Sequence, residues 1–296
     1  MILNVSGRTD IVAFYSEWFM NRYREGFVDV RNPVYPKMVS RIYFEDVDAI
    51  LFCTKNPLPM LKYIEKIKEP FLFHVTLTPY KKEIEPHVPA KGNVIEAIKQ
   101  LSQKIGKERV VVRYDPIFVS EKYSIDYHKK AFHHLCGLLD GYVSKIIVSF
   151  LDDYKNVRKN MAVIGAREMT EADYREIGLS FSESAKEHGM TVQTCFEEKN
   201  LVEYGFVKDD CFSHSLAFQM TGKIFPKWKA RKENLCQCVE MVDIGAYNTC
   251  SHFCKYCYAN YDERQVEKNR KQHHPTSSLL IGTLKDDDEI KVRKDK

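Results

Sequence analysis

Glu240-Met-Val-Asp-Ile-Gly-Ala-Tyr247-Asn-Thr-Cys250-Ser-His-Phe-Cys254-Lys-Tyr-Cys257-Tyr-Ala-Asn260 is the stretch on which the reading of this 296-residue chain turns. Residues 240–247 read as a strand, the three cysteines as a loop, and residues 258–272 as a helix. A strand that feeds a loop and then a helix is the unit that parallel α/β folds repeat. Upstream, runs rich in β-branched and aromatic residues predict strands at 2–6, 49–53, 71–77, 110–114, 145–150 and 191–196. Most are continuously apolar, as strands buried on both faces are. Helices are predicted over 14–25 ahead of Gly26, 58–68 behind Asn56-Pro57, 93–105 ahead of Gly106, and from a Ser124 cap to 139. A further one opens on the capping pattern Thr170-Glu-Ala-Asp173 and runs to His188.

The expected fold is therefore α/β, with a parallel sheet forming a partial or complete (β/α) barrel; an open doubly wound sheet is the alternative. Residues 1–220 are expected to form the barrel core. Residues 221–274 add a basic loop and the strand, cluster loop and helix that complete it, and 275–296 form a tail in which 278–284 offer a short strand.

Apolar residues make up 44% of the chain and charged residues 29%, ordinary values for a folded protein. No run of about 18 apolar residues exists to span a membrane. The first ten residues lack the basic and apolar regions of a secretory leader, so the cytoplasm is the expected location. The net charge of +4 is localised: residues 222–274 carry ten Lys or Arg against six Asp or Glu. Such a segment suits an anionic substrate or an acidic redox partner, or it is simply a solvated surface. Trp228 among Lys227, Lys229, Arg231 and Lys232 would suit stacking in a nucleic-acid groove, or would anchor a long loop.

Nine cysteines in a cytosolic chain are not expected to form disulfides. Cys53, Cys136, Cys195 and Cys211 are scattered, whereas Cys236, Cys238, Cys250, Cys254 and Cys257 fall within 22 residues. The spacing C-x3-C-x2-C lets three thiolates hold three corners of an iron–sulfur cube and leaves the fourth iron without a protein ligand. Two other readings stay open. Cys236-Gln-Cys238 with two later cysteines, or with His252, would make a zinc knuckle, and an iron–sulfur module would serve electron transfer or stability. Cys236 and Cys238 would otherwise hold a second metal, with Cys195 or Cys211, or pack beneath the first.

With Tyr256 just before its last cysteine, the motif resembles the signature of the radical S-adenosylmethionine enzymes. Cys250-Ser-His-Phe-Cys-Lys-Tyr-Cys-Tyr-Ala259 is similar to the spore photoproduct lyase branch of that superfamily. The whole chain resembles a bacterial family without an assigned substrate, through Gly7-Arg-Thr-Asp10, Thr54-Lys-Asn-Pro57, Arg113-Tyr-Asp-Pro116 and Asp243-Ile-Gly-Ala-Tyr-Asn248. The resemblance implies a 4Fe–4S cluster on Cys250, Cys254 and Cys257, S-adenosyl-L-methionine as cofactor, and Tyr256 near its adenine. It also implies an electron donor such as a flavodoxin or ferredoxin, and a substrate that is unknown, anionic or nucleic acid.

In ordinary members the motif follows the first barrel strand. Here it sits near the other end, so the resemblance implies a circularly permuted barrel with residues 241–247 beside residues 2–6. Ser6-Gly7-Arg8 then stands where the cofactor's amino group is met, although the superfamily's glycine-rich motif is absent. Polar residues also cluster after the strands: Arg8-Thr9-Asp10, Thr54-Lys55-Asn56, Thr76, Thr78, Arg113, Asp115, Asp152-Asp153 and Glu197-Glu198. Any strand turns polar as it meets water, but the recurrence of Arg8, Lys55 and Arg113 favours a shared active face. Arg8 and Lys55 are the cofactor-binding candidates, and Arg113, Asp115 and Glu197 the catalytic ones.

Overall fold

The computed structural model describes residues 1–228 and 236–294. The strands are β1 (Ile2–Val5), β2 (Phe27–Arg31), β3 (Met38–Tyr43), β4 (Ala49–Thr54), β5 (Phe71–Thr76), β6 (Val110–Ile117), β7 (Lys145–Phe150), β8 (Thr191–Thr194), β9 (Met241–Asp243) and β10 (Glu289–Val292). The helices are α1 (Ile11–Phe14), α2 (Ser16–Glu25), α3 (Lys91–Ile105), α4 (Ile125–Leu139), α5 (Lys155–Arg158), α6 (Met161–Ile164), α7 (Glu171–Glu187), α8 (His214–Thr221) and α9 (Glu263–Lys271). No helix among the described residues is long and apolar enough to cross a membrane.

Seven strands form one parallel sheet in the order β8-β7-β6-β5-β4-β1-β9. From β1 to β8 each strand lies beside the one before it, without the reversal of a doubly wound sheet. The sheet does not close among the described residues, since β8 and β9 are its edges, so the complete barrel is not formed. β9 lies beside β1 in register, Ile2 opposite Met241, Leu3 opposite Val242 and Asn4 opposite Asp243. The two strands that the permutation requires to be neighbours are neighbours.

Crossovers of one hand, stepping one way, put their helices on one face. That face carries the main core, where Leu3, Val5, Phe52, Phe73, Val112 and Val148 pack under α2, α3, α4 and α7. Phe132 of α4 and Phe181 of α7 stack at 3.8 Å within it. The opposite face changes character along the strands. Its amino-terminal half is apolar, with Ile2, Leu51, Leu72 and Met241 packed against Phe212, Ala217 of α8, Phe225 and Val239. Toward the carboxyl ends the residues in alternation with these are Asn4, Cys53, His74, Arg113, Asp115 and Asp243.

Four local expectations need correction. The helix expected over 58–68 is two 3-10 turns, Leu58–Met60 and Ile64–Lys66, because Pro59 lacks an amide and disfavours the α conformation at Leu58. The strand expected over 240–247 stops at Asp243, whose side chain takes the Gly245 amide at 2.7 Å and turns the chain. The helix expected from 258 begins at Glu263 behind an Asp262 cap, since residues 258–262 close the cysteine loop instead. The stretch from 275 does not hang free. Trp18 Nε1 donates to the Ser277 carbonyl at 2.8 Å and Arg22 to that of Thr276 at 2.9 Å. β10 then joins the β2–β3 pair in a second sheet of three strands, which sequence reading did not find. By contrast, the Thr170 capping box and the Ser124 cap form as read.

The β9–β1 junction leaves no room at Gly245, where an added Cβ would meet Ser6 Oγ at 2.0 Å and Ser6 Cβ at 2.9 Å. Gly245→Ala is expected to destabilise the fold by about 1–3 kcal/mol, read as a lower urea midpoint with an unchanged slope.

Candidate active site on the cysteine loop

The loop between β9 and α9 has little regular structure, so its backbone carbonyls need partners from elsewhere. They find them on every side. Tyr15 donates its hydroxyl to the Thr249 carbonyl at 2.6 Å, and Asn260 Nδ2 donates to that of Cys250 at 2.7 Å. His87 Nδ1 lies 3.0 Å from the Ser251 carbonyl, and its amide donates to that of His252 at 3.2 Å. Asn160 Nδ2 reaches the Lys255 carbonyl at 2.6 Å, and Asn156 Nδ2 that of Cys257. Asn248 and Phe253 take the left-handed conformation to make the bends.

This clamping fixes the backbone that carries the thiols, of which Cys257 Sγ accepts from the Ala259 amide at 3.3 Å. Cys250 and Cys254 are buried and Cys257 half-buried, and they act on one another electrostatically. The described donor sets whose atoms all lie within 4.8 Å of one another do not include these three. A single zinc with bonds of about 2.3 Å needs its sulfurs about 3.8 Å apart, whereas a cube, which each thiolate grips at a different iron, suits wider spacing. Burial pushes the Cys254 thiol up to about 12 and raises those of Cys250 and Cys257. Metal binding would displace their protons.

Beside Cys254 lies a buried carboxylate that sequence reading missed. Glu85 accepts from Lys55 Nζ at 2.9 Å, from Thr78 Oγ1 at 2.7 Å, and also from Lys91 Nζ and the Tyr256 hydroxyl. Nothing in Lys81-Lys-Glu-Ile-Glu-Pro-His87 marked Glu85 above its neighbour Glu83. Lys55 Nζ also stands 5.3 Å over the Tyr256 ring. Tyr256 and Lys55 thus form one group with Cys254, walled by Tyr80, Ile84, Phe118, Val157 and Ile164.

Asp10 ties the first loop to the cysteines: its Oδ2 accepts from the Lys55 amide at 2.8 Å and contacts His252 Nε2 at 2.9 Å. Next to it Asp243 accepts from Ser6 Oγ, Gly7 N and Gly245 N at 2.6–2.7 Å. The Arg8 guanidinium stands 5.6 Å over the Tyr247 ring. The catalytic candidates form a neighbouring group. Arg113 donates twice to Asp115 Oδ2, at 3.0 and 2.6 Å, and Ser149 donates to the other oxygen. Glu197 accepts from the Phe150 amide at 2.8 Å, and burial pushes its carboxyl up to about 8. Asp115 in turn acts electrostatically on Lys55, which joins the two groups.

Other expected ligands go elsewhere. Cys238 touches Cys211 rather than the loop cysteines, so the zinc knuckle built on Cys236, Cys238 and two later cysteines is not assembled. Trp228 is half-buried and packs on the apolar half of the inner face rather than standing as an open stacking platform. Lys229, Arg231 and Lys232 lie outside the described residues.

Burial raises the Glu85 carboxyl, but Lys55 and Lys91 outweigh it and hold it down at about 2, against an ordinary 4.5. A folded value below the ordinary one means that the pairing stabilises the fold above pH 4.5 and is lost as the pH falls toward 2. Glu85→Gln leaves two ammonium groups without their counter-charge and is expected to cost about 3–5 kcal/mol at neutral pH. It should also flatten the acid limb that the wild type shows when urea midpoints are measured across the acidic range.

All of these groups precede residue 260. A family model described as a domain of unknown function, DUF1848, matches residues 2–259, from β1 to the end of the cysteine loop. Comparison with curated proteins finds no match. With nearly its whole length matched, the chain belongs to the DUF1848 family.

Proposed function

We propose that this protein is a radical S-adenosylmethionine enzyme that holds a 4Fe–4S cluster on Cys250, Cys254 and Cys257. The observation that carries the reading is the place of the three loop thiols, two of them buried and Cys257 half-buried. They stand on a clamped loop at the carboxyl end of β9, which pairs with β1 in register. This supports the permuted arrangement that the motif's resemblance implies.

A second observation concerns the surroundings. Among the described residues, buried side-chain atoms without a hydrogen-bond partner include Thr9 Oγ1, Ser251 Oγ, His252 Nδ1 and Asn260 Oδ1. All four lie on the cysteine loop or the β1 loop packed against it. Buried polar groups are rarely left alone, and a bound polar cofactor is what such a group would serve.

When bound, the cluster supplies an electron through its open iron to split S-adenosylmethionine into methionine and a 5′-deoxyadenosyl radical that takes a hydrogen atom from substrate. The chain's own residues prepare the site. Lys55 and Lys91, only partly offset by Glu85, leave positive charge beside Cys254 to offset a cluster of thiolates. Tyr256, fixed through its hydroxyl, presents its ring to the same space, and the apolar wall around it keeps water out. Arg113 offers a guanidinium for an anionic substrate group. Glu197, with its raised carboxyl, keeps a proton at neutral pH that it can give to substrate. The lysines and arginines of residues 222–274 suit an acidic electron donor such as a flavodoxin or ferredoxin. The reducing cytoplasm is the compartment that this chemistry needs.

Anaerobic reconstitution of the full chain, followed by incubation with S-adenosylmethionine and dithionite, tests the reading. The wild type should bind about four irons with matching sulfide and release 5′-deoxyadenosine. Cys250→Ala, Cys254→Ala and Cys257→Ala should each abolish that release. Zinc alone on the loop, or a loaded cluster that never cleaves the cofactor, would remove the proposal.

A further inference from the structure

Four other cysteines meet on the inner side of the sheet, away from the loop. Cys195 follows β8, its amide extending the ladder to the Val148 carbonyl at 3.0 Å. Cys211 precedes α8, and Cys236 and Cys238 precede β9. Cys195 Sγ lies 3.4 Å from Cys211 Sγ, which lies 3.3 Å from Cys238 Sγ. Cys236 Sγ accepts from the Cys238 amide at 3.4 Å, and both sulfurs lie within 4.8 Å of each other and of the Asp210 carboxylate. Cys236 and Cys238 are buried.

These sulfurs are too far apart to be bonded, since a disulfide spans about 2.05 Å. Two of the separations, Cys195–Cys211 and Cys211–Cys238, are near the edge of about 3.8 Å that a tetrahedral ion with sulfur bonds of about 2.3 Å requires, and the wider ones would have to close as the ion binds. The surroundings are those of a ligand set. The Phe212 amide points at Cys238 Sγ at 3.5 Å, and the half-buried Arg113 guanidinium acts electrostatically on Cys195 and Cys211. Donors to sulfur and a nearby cation are what orient and stabilise metal-bound thiolates. Asp210 accepts from the Gln237 amide at 2.7 Å, which fixes the turn carrying Cys236 and Cys238. A cavity of about 340 Å³ lined by Cys195, Cys211 and Cys236 gives an ion a way in.

We propose that Cys195, Cys211, Cys236 and Cys238 bind one structural zinc ion as four thiolates. On binding, the four thiols give up their protons to solvent and the ion gains four sulfur bonds, with no change of oxidation state. Because Cys195 follows β8 and Cys238 leads into β9, the ion ties the two edges of the open sheet across its inner face. It thereby holds in place the strand that carries the cluster loop.

The test is metal analysis of the full chain purified without added iron. The wild type should hold about one zinc per chain, and the triple variant Cys250→Ala, Cys254→Ala, Cys257→Ala should keep it. Cys211→Ser and Cys238→Ser should lose the zinc. If those variants fail to fold, titrating the wild type with a mercurial reagent and a zinc indicator should release one zinc for four modified thiols. Cobalt substituted into the wild type should show thiolate-to-metal charge transfer and tetrahedral bands. Four freely titratable thiols with no metal, iron and sulfide on these residues, or zinc that disappears only in the triple loop variant would each overturn the assignment. Free thiols, or iron and sulfide on these four residues, would sink the zinc assignment alone, whereas zinc lost only in the triple loop variant would place zinc on the loop and count against the cluster as well; the failures of the two proposals are therefore told apart.

Discussion

Asp243 is the hinge-pin of the molecule. It is a half-buried carboxylate at the last residue of β9, and it accepts from Ser6, Gly7 and Gly245, the first two on the loop after β1. Burial makes its charge costly and raises its carboxyl, a cost that the hydroxyl, the two amides and Arg8 offset only in part. Residues more than two hundred positions apart are thereby locked at one point. From that point the chain launches the cysteine loop in one direction and the Arg8-Thr9-Asp10 loop in another. The distance between the thiols and Asp10, Lys55 or Glu85 is set by this lock together with the His252–Asp10 and Tyr256–Glu85 ties of the loop itself.

The inner face divides the labour that follows. Its apolar half, sealed by Phe212, Ala217, Phe225 and Val239, supplies rigid support. Its polar half gathers ionisable groups that are each held by a specific partner: Glu85 by two lysines, Asp115 by Arg113, and Asp10 by His252. His74, buried beside Arg113, is pushed down to about 3 and stays neutral. Such pairing limits how far any one group can change without disturbing the next. Arg113 is hydrogen-bonded to Asp115 and acts electrostatically on Cys195 and Cys211, so the polar half of the face reaches toward that second group of cysteines.

The sheet was readable from the sequence because parallel strands buried on both faces leave continuous apolar runs, and all six such runs became strands. The pairing of residues 241–243 with residues 2–4 was also accessible, since a strand before a displaced motif has one natural neighbour. Other features left no local trace. β2 and β3 alternate only weakly, and their pairing is fixed by the buried Asp29–Arg41 contact at 2.9 Å, which no spacing rule announces. Glu85 is one acid among several, distinguished only by what folds against it. Cys195 and Cys211 stand 16 residues apart and far from Cys238. Their convergence depends on the open edges of the sheet facing each other, which is a property of the tertiary structure alone. Tyr256 was legible as a residue of the site, but its tie to Glu85 was not.

The lateness of β9 has a consequence for biosynthesis. β1 leaves the ribosome about 240 residues before β9, its neighbour on one side. Until then the nascent sheet exposes the backbone groups of β1, the kind of bare edge at which chains mispair. The cysteine loop likewise emerges only after β1, β4, β5, β6, β7 and β8 have been made.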